Sequence, residues 1–330
     1  MKHSIQPFLS QILDYAGLYP PASLPLNDAF GEYIKHYQSN EFWMLSKFVA
    51  GTNYLSDLVE LINAYEESPK PFLITAVAAQ SVSLQGFKQV VVATKKTITN
   101  AVNKSSKEIR VPSLEIKLPE NLFKAADTTE LQEAIEYAVN EMTSSPILPY
   151  EIFFEISGFA FEQTNIDLIV DMLSNHLAVL ASKDLEYFSN IGFKIRCGGV
   201  EAFQFPPIDY LAHAIHSSVQ KKIPLKFTAG LHHPVRHYNS TVSTKMHGFL
   251  NVFGATLLCH HKGLSKAEVR NMLEDENPNN FVFSDAQFIW KDYSIASDEI
   301  QLLRSHYVTS FGSCSFDEPV EDLQELTLLT

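Results

Sequence analysis

Apolar positions along this chain switch repeatedly between helical and strand-like spacing, and that alternation is its most informative feature. Residues 4–15 and 26–38 place hydrophobic side chains at helical spacing. The intervening GLYPPASLPL, with Pro20, Pro21 and Pro25, prevents one continuous helix. An N-terminal helical preface within residues 1–40 is therefore predicted. Strand-like runs follow at Trp43–Ala50 and Phe72–Ala78, separated by an amphipathic helix that includes Leu55, Leu58, Leu61 and Ile62.

The same rhythm continues. Further strands are predicted at Ser113–Leu118, Glu151–Ser157, Phe193–Cys197 and Leu225–Ala229, with helices at Thr129–Met142, Thr164–Leu180 and Pro207–Gln220 between them. The polar stretch Lys95–Lys107 reads as helix or surface loop. Strands joined by helix-length crossovers build parallel sheet from right-handed βαβ units. Beyond the sixth predicted strand, Met246–His261 and Ser265–Glu274 read as helices, and strands seven and eight are drawn from Phe281–Ile289 and Tyr307–Phe316. The expected fold is α/β, a (β/α)8 TIM-like barrel with an N-terminal helical extension, as a single domain over residues 1–330. An open doubly wound sheet is the alternative, although no glycine-rich phosphate fingerprint follows an early strand.

Strand parity then gives the interior a chemistry. Phe193, Ile195 and Cys197 must meet the helix layer, which turns Lys194 and Arg196 inward. The same logic turns inward Lys226 and Thr228, Glu115 and Lys117, Glu155, and Lys47 on the first predicted strand. Unpaired buried charge costs several kcal/mol, so these residues are expected to pair, to contact a ligand near the C-terminal mouth, or both. Ion pairing alone is the structural alternative.

Three loops add candidates. KFTAGLHHPVRHYN supplies His232, His233, Arg236 and His237, with His247 and Asn251 shortly after. Histidine serves as acid, base or metal ligand, and arginine grips carboxylate or phosphate. RCGGVEAFQFP puts Gly198 and Gly199 after a strand, where backbone N–H groups can meet an anion. SFGSCSFDEP brings Ser313 and Ser315, which either complete a ligand site or pack tightly at barrel closure, and Cys314, which lacks an activating base in sequence. His213, His216, His260 and His261 read as structural.

Composition narrows the partners. A net charge of -13 and the lack of a basic stripe argue against nucleic acid. No stretch of apolar residues is long enough for a membrane span, and no export signal is read. The three cysteines are far apart and fit a reducing, cytoplasmic compartment. The expected partner is a small anionic metabolite, with no cofactor required and a divalent metal possible.

Three sequence blocks, DYAGLYPPASLPL, KFTAGLHHPVRH with MHGFLN, and SFGSCSFDEP, resemble a family of uncharacterised bacterial proteins of similar length. That resemblance spans the chain and implies no particular activity. KFTAG also resembles the strand-six lysine motif of deoxyribose-phosphate aldolases, where a Lys and a Gly four residues later frame a Schiff-base site. Lys226, Thr228 and Gly230 match that spacing, whereas the aldolases' Thr-Ser-Thr run is not reproduced.

Three functions are therefore weighed. The first is a lyase, aldolase or isomerase in which Lys226, its pKa lowered by Lys194 and Arg196, forms a Schiff base or transfers protons, Glu155 is acid or base, and Arg196 and Arg236 clamp the substrate. The second is metal-dependent hydrolysis or lyase chemistry on His232, His233, His237 or His247 with Glu155. The third is a barrel that binds a metabolite without catalysis.

Overall fold

In the computed structural model, eight parallel strands close into a barrel in which every strand pairs with its neighbours in sequence, and the last returns to the first. They are β1 Leu13–Tyr15, β2 Leu45–Gly51, β3 Phe72–Val77, β4 Ile109–Leu118, β5 Glu151–Ile156, β6 Asn190–Arg196, β7 Leu225–Thr228 and β8 Val308–Ser313. The residues described are 2–329 without 68, 125–127, 146, 157, 159–160 and 182–189, so Ser157, the expected end of one strand, lies outside them. With helices on the crossovers this is a (β/α)8 TIM barrel, and the open-sheet alternative is excluded by closure.

Parity explains the layers. Leu114, Ile116 and Leu118 of β4, Ile152 and Phe154 of β5, and Phe193 and Ile195 of β6 are buried in the hydrophobic core. They face amphipathic helices at Leu84–Lys104, Thr129–Met142, Gln163–Ala181 and Ile208–Gln220. The polar stretch after Lys95 continues the first of these helices. Helix Phe249–Lys262 is different. Every residue from Phe249 to Cys259 is buried, because a three-stranded antiparallel sheet of Phe281–Phe283, Gln287–Trp290 and Tyr293–Ala296 belongs to a further outer layer. Gly254 is required where that layer meets the helix: a Cβ there would lie 2.4 Å from Met272 and 3.0 Å from Phe288.

Two expectations are corrected. Residues 4–15 are not one helix. Helix Ile5–Leu9 ends at a turn in which Gln11 adopts φ 49°, and the chain then becomes β1. Tertiary pairing decides this: Phe311 N–H donates to Ile12 C=O at 2.8 Å and Ala16 N–H to Ser313 C=O at 2.6 Å. Residues 281–289 do not supply a barrel strand either, since they form the outer hairpin, and only the final expected strand, realised as β8, joins the barrel. Each strand expected between residues 43 and 229 is therefore one place later in the barrel than its sequence count.

Arg304 fastens the seam. Its guanidinium donates to the carbonyls of Val308 at 2.8 Å, Ser10 at 3.0 Å, Thr309 at 2.6 Å and also Phe8. It thus ties the segment entering β1 to the start of β8. Burial lowers its pKa to about 9, against the pull of Asp14, which leaves the guanidinium charged at neutral pH.

Candidate functional site

The inward charges form a chain of alternating sign along the barrel interior. Asp14 of β1 accepts from Lys226 of β7 at 2.5 Å, Lys226 reaches Glu115 of β4 at 2.9 Å, and Lys194 of β6 joins Glu115 at 2.6 Å to Glu155 of β5 at 2.8 Å. Lys117 and Arg196 stand farther from Glu155, at 3.5 and 3.8 Å. At the other end Lys47 lies 3.9 Å from Asp14 and 3.8 Å from Glu151. The charged residues expected inward from strand parity belong to one connected network, and Thr228 lines the cavity beside it.

Electrostatics fixes the protonation states. Burial alone would neutralise these groups, but the partners outweigh it. Glu155 is held down to about 2 by Lys194, Lys117 and Arg196, and Glu115 is lowered by Lys194 and Lys226. Asp14 is lowered in the same way by Lys226 and Lys47. Conversely, burial would lower Lys194 and Lys226, yet Glu115 with Glu155, and Asp14 with Glu115, raise them above the ordinary lysine value. The expected lowering of the Lys226 pKa is therefore corrected: the positive neighbours are outweighed by carboxylates in direct contact.

A cavity of about 290 Å³ opens at the C-terminal mouth. Its walls carry Lys117, Lys194 and Arg196 against Glu115 and Glu155, an excess of one cation, together with Thr228, Gly199 and His232. Lys194 spends two N–H groups on Glu115 and Glu155, and the third has no protein acceptor among the described residues. Lys226 lines no part of this cavity and uses all three donors, on Asp14, Glu115 and Thr75 at 3.3 Å. The lysine assigned the central role from sequence is sealed, and its neighbour on β6 faces the ligand space. KFTAG itself lies on the seventh barrel strand, not the sixth.

The remaining candidates divide. His232 borders the cavity with Nδ1 2.8 Å from Glu318, whereas His233 turns to Asp322 at 2.5 Å and meets His237 edge to face with ring centres 4.3 Å apart. His247 is fully buried, bonded to Arg236 at 3.1 Å and to Pro206 C=O at 2.9 Å, with its pKa lowered to about 4 by burial and by Arg236. These four histidines do not converge as a ligand set. Among the described residues the three ligating side chains that gather are Glu32, His36 and Asp317, where Lys35 already stands 3.0 Å from Glu32 and 3.7 Å from Asp317. Arg236, expected to clamp the substrate, bonds His247 and does not line this cavity. Gly198 is packed against Gly230, where an added Cβ would lie 2.9 Å from its Cα, while Gly199 reaches the cavity wall. Ser313 donates to Ser315 C=O at 2.8 Å, shaping the turn, and Cys314 rather than either serine lines the cavity, its thiol kept protonated by burial.

Two important residues were missed from sequence. Asp14 was hidden in an apolar run read as helix, and a lone acid among Ile12, Leu13 and Tyr15 was the available signal. Tyr19, in the loop after β1, lines the mouth with its phenol held protonated by burial and by the charge of Glu115. Compared with known proteins, the chain matches no protein-family model and no curated sequence. No described helix is long and apolar enough to cross a membrane.

Proposed function

We propose that the protein is a barrel enzyme of the lyase or isomerase type whose mouth takes a small carboxylate- or phosphate-bearing metabolite. The observation that carries this reading is Lys194, an ammonium with one uncommitted N–H on the wall of a cavity where cations outnumber carboxylates. Lys117 and Arg196 hold the anionic group. Lys194 hydrogen-bonds a substrate oxygen and stabilises the negative charge that develops there as the Glu155 carboxylate on the same wall takes up the carbon-bound proton, with Tyr19 as a second donor. Preorganised donors of this kind are the largest single source of rate in many enzymes. An imine on Lys226 is not part of the proposal, since that lysine is protonated and enclosed.

A carboxylate within 4 Å of every interior cation favours a second reading, a barrel that binds the anion without turnover. Thermal shift against carboxylates and sugar phosphates tests binding, because a ligand at 100 times its Kd adds about 2.7 kcal/mol. Exchange of carbon-bound hydrogen in deuterated water, followed by NMR on the ligands that bind, tests chemistry. Binding with exchange that Lys194→Met removes supports the enzyme; binding without exchange supports the binder. A panel that gives no shift sinks both.

A further inference from the structure

A second depression lies at the opposite end of the barrel. It measures about 820 Å³, opens between the N-terminal helix and helix Ser297–His306, and reaches the strand starts at Lys47, Glu151 and Ser310. Barrel interiors are usually filled by branched apolar side chains. Here the floor is polar, and its polar atoms are incompletely used. Glu151 Oε2 and Ser310 Oγ are buried without a hydrogen-bond partner, as is Ser113 Oγ beside Glu151 on the paired strand. Ser310 is fully buried and Glu151 is 8% exposed. Lys47 is loosely held, with no polar side-chain atom nearer than Ser46 Oγ at 3.5 Å among the contacts that fix it.

Charge selects the occupant. An anion would meet the unsatisfied carboxylate oxygen of Glu151, and Arg304 on the same wall has turned its donors to backbone carbonyls. A cation at the floor would meet Lys47 and Arg304, and the other two lining carboxylates, Asp285 and Asp298, are exposed to solvent, away from that buried floor. A neutral hydroxyl suits both sides, since it donates to Glu151 and accepts from Lys47, and a neighbouring hydroxyl can pair with Ser310. Leaving such buried groups unpaired is unfavourable, and a ligand making those bonds relieves it. We propose that the N-terminal face of the barrel is a second binding site, separate from the mouth, for a small neutral polyhydroxy compound held by Glu151, Ser310 and Lys47.

Ligand-observed NMR titrations of the full-length protein with glycerol, erythritol and ribose test this. At least one polyol is expected to bind saturably, and Ser310→Val and Glu151→Gln are each expected to weaken it about tenfold or more. Lys194→Met, at the mouth, should leave that affinity unchanged. Ser310→Ala replaces Ser310→Val if the larger side chain prevents folding. The site is overturned if none of the three polyols binds, if binding survives both floor substitutions, or if Lys194→Met abolishes it. A crystal soaked in erythritol that shows only water between Glu151 and Ser310 also overturns it. None of these results bears on the anion at the mouth, so the two proposals fail separately.

Discussion

Lys226 and Lys194 are neighbours on adjacent strands, share Glu115 and are both held protonated, yet they live in different regions. Around Lys226 the barrel is closed: Asp14, Thr75 and Glu115 take its three donors, and its side chain is 1% exposed. Around Lys194 the chain of charges opens into the mouth, with Lys117 and Arg196 partly solvated. The same pairing of lysine with carboxylate thus has two uses. When sealed, it ties β1 to β7 across the seam strand β8 and fixes which strands meet. When open, it leaves a donor and excess positive charge for a ligand. The difference lies in access, since chemistry and charge are alike.

The sharpest way to break this comparison is Asp14→Ala. It leaves Lys226 buried with a lost counterion and should cost about 3–5 kcal/mol, read as a large fall in Tm or denaturation midpoint. A loss below about 1 kcal/mol would mean that the sealed region does not hold the barrel together. Acid titration comes next. His247 has a folded pKa of about 4 against an ordinary 6.5, so the unfolded chain takes up its proton first. Its contribution is present above pH 6.5 and lost as pH falls to about 4, up to about 3 kcal/mol. Asp14, Glu115 and Glu155, all lowered, add stability that is present above their unfolded values and lost as pH falls through the folded ones. The raised values of Lys194 and Lys226 act oppositely, so their contribution is full below about 10.5 and lost only at higher pH. Chemical denaturation across pH should show a plateau on the neutral to mildly alkaline side. Stability that is flat from pH 7 to pH 3 would contradict the assignment.

Lys194→Met should cost less than Asp14→Ala, about 1–3 kcal/mol, because Glu115 keeps Lys226 and Glu155 keeps Lys117 and Arg196. It should nevertheless remove hydrogen exchange on the bound ligand. Equal stability losses for the two substitutions would erase the distinction between sealed and open regions. The smallest change in stability is expected for Arg196→Met, under about 1 kcal/mol for a side chain 31% exposed, with anion affinity reduced about tenfold when measured by calorimetric titration. An unchanged affinity would remove Arg196 from the site.

Much of the site was legible because β4 to β7 alternate cleanly. Phe193 and Ile195 can be buried only outward, so Lys194 and Arg196 must point in, and Glu115, Glu155 and Lys226 follow by the same rule. The beginning of the barrel was illegible for a related reason. In β1 all three residues, Leu13, Asp14 and Tyr15, are buried, and so short a run carries neither a two-residue nor a 3.6-residue period to distinguish strand from helix. The outer sheet misled in the opposite direction: Phe281–Ile289 has real strand character, but its partners are antiparallel neighbours instead of the barrel.

By itself, then, the sequence determined the alternation of strand and helix, the α/β class it implies, and the inward set of charges, because burial of apolar parity is a local constraint repeated along the chain. Tertiary structure alone decided that β1 completes the ring, that Asp14 captures Lys226, and that Lys194 faces the open space. Those outcomes depend on distances between residues 212 positions apart, as for Lys226 and Asp14, and on which ammonium the surrounding strands leave uncovered.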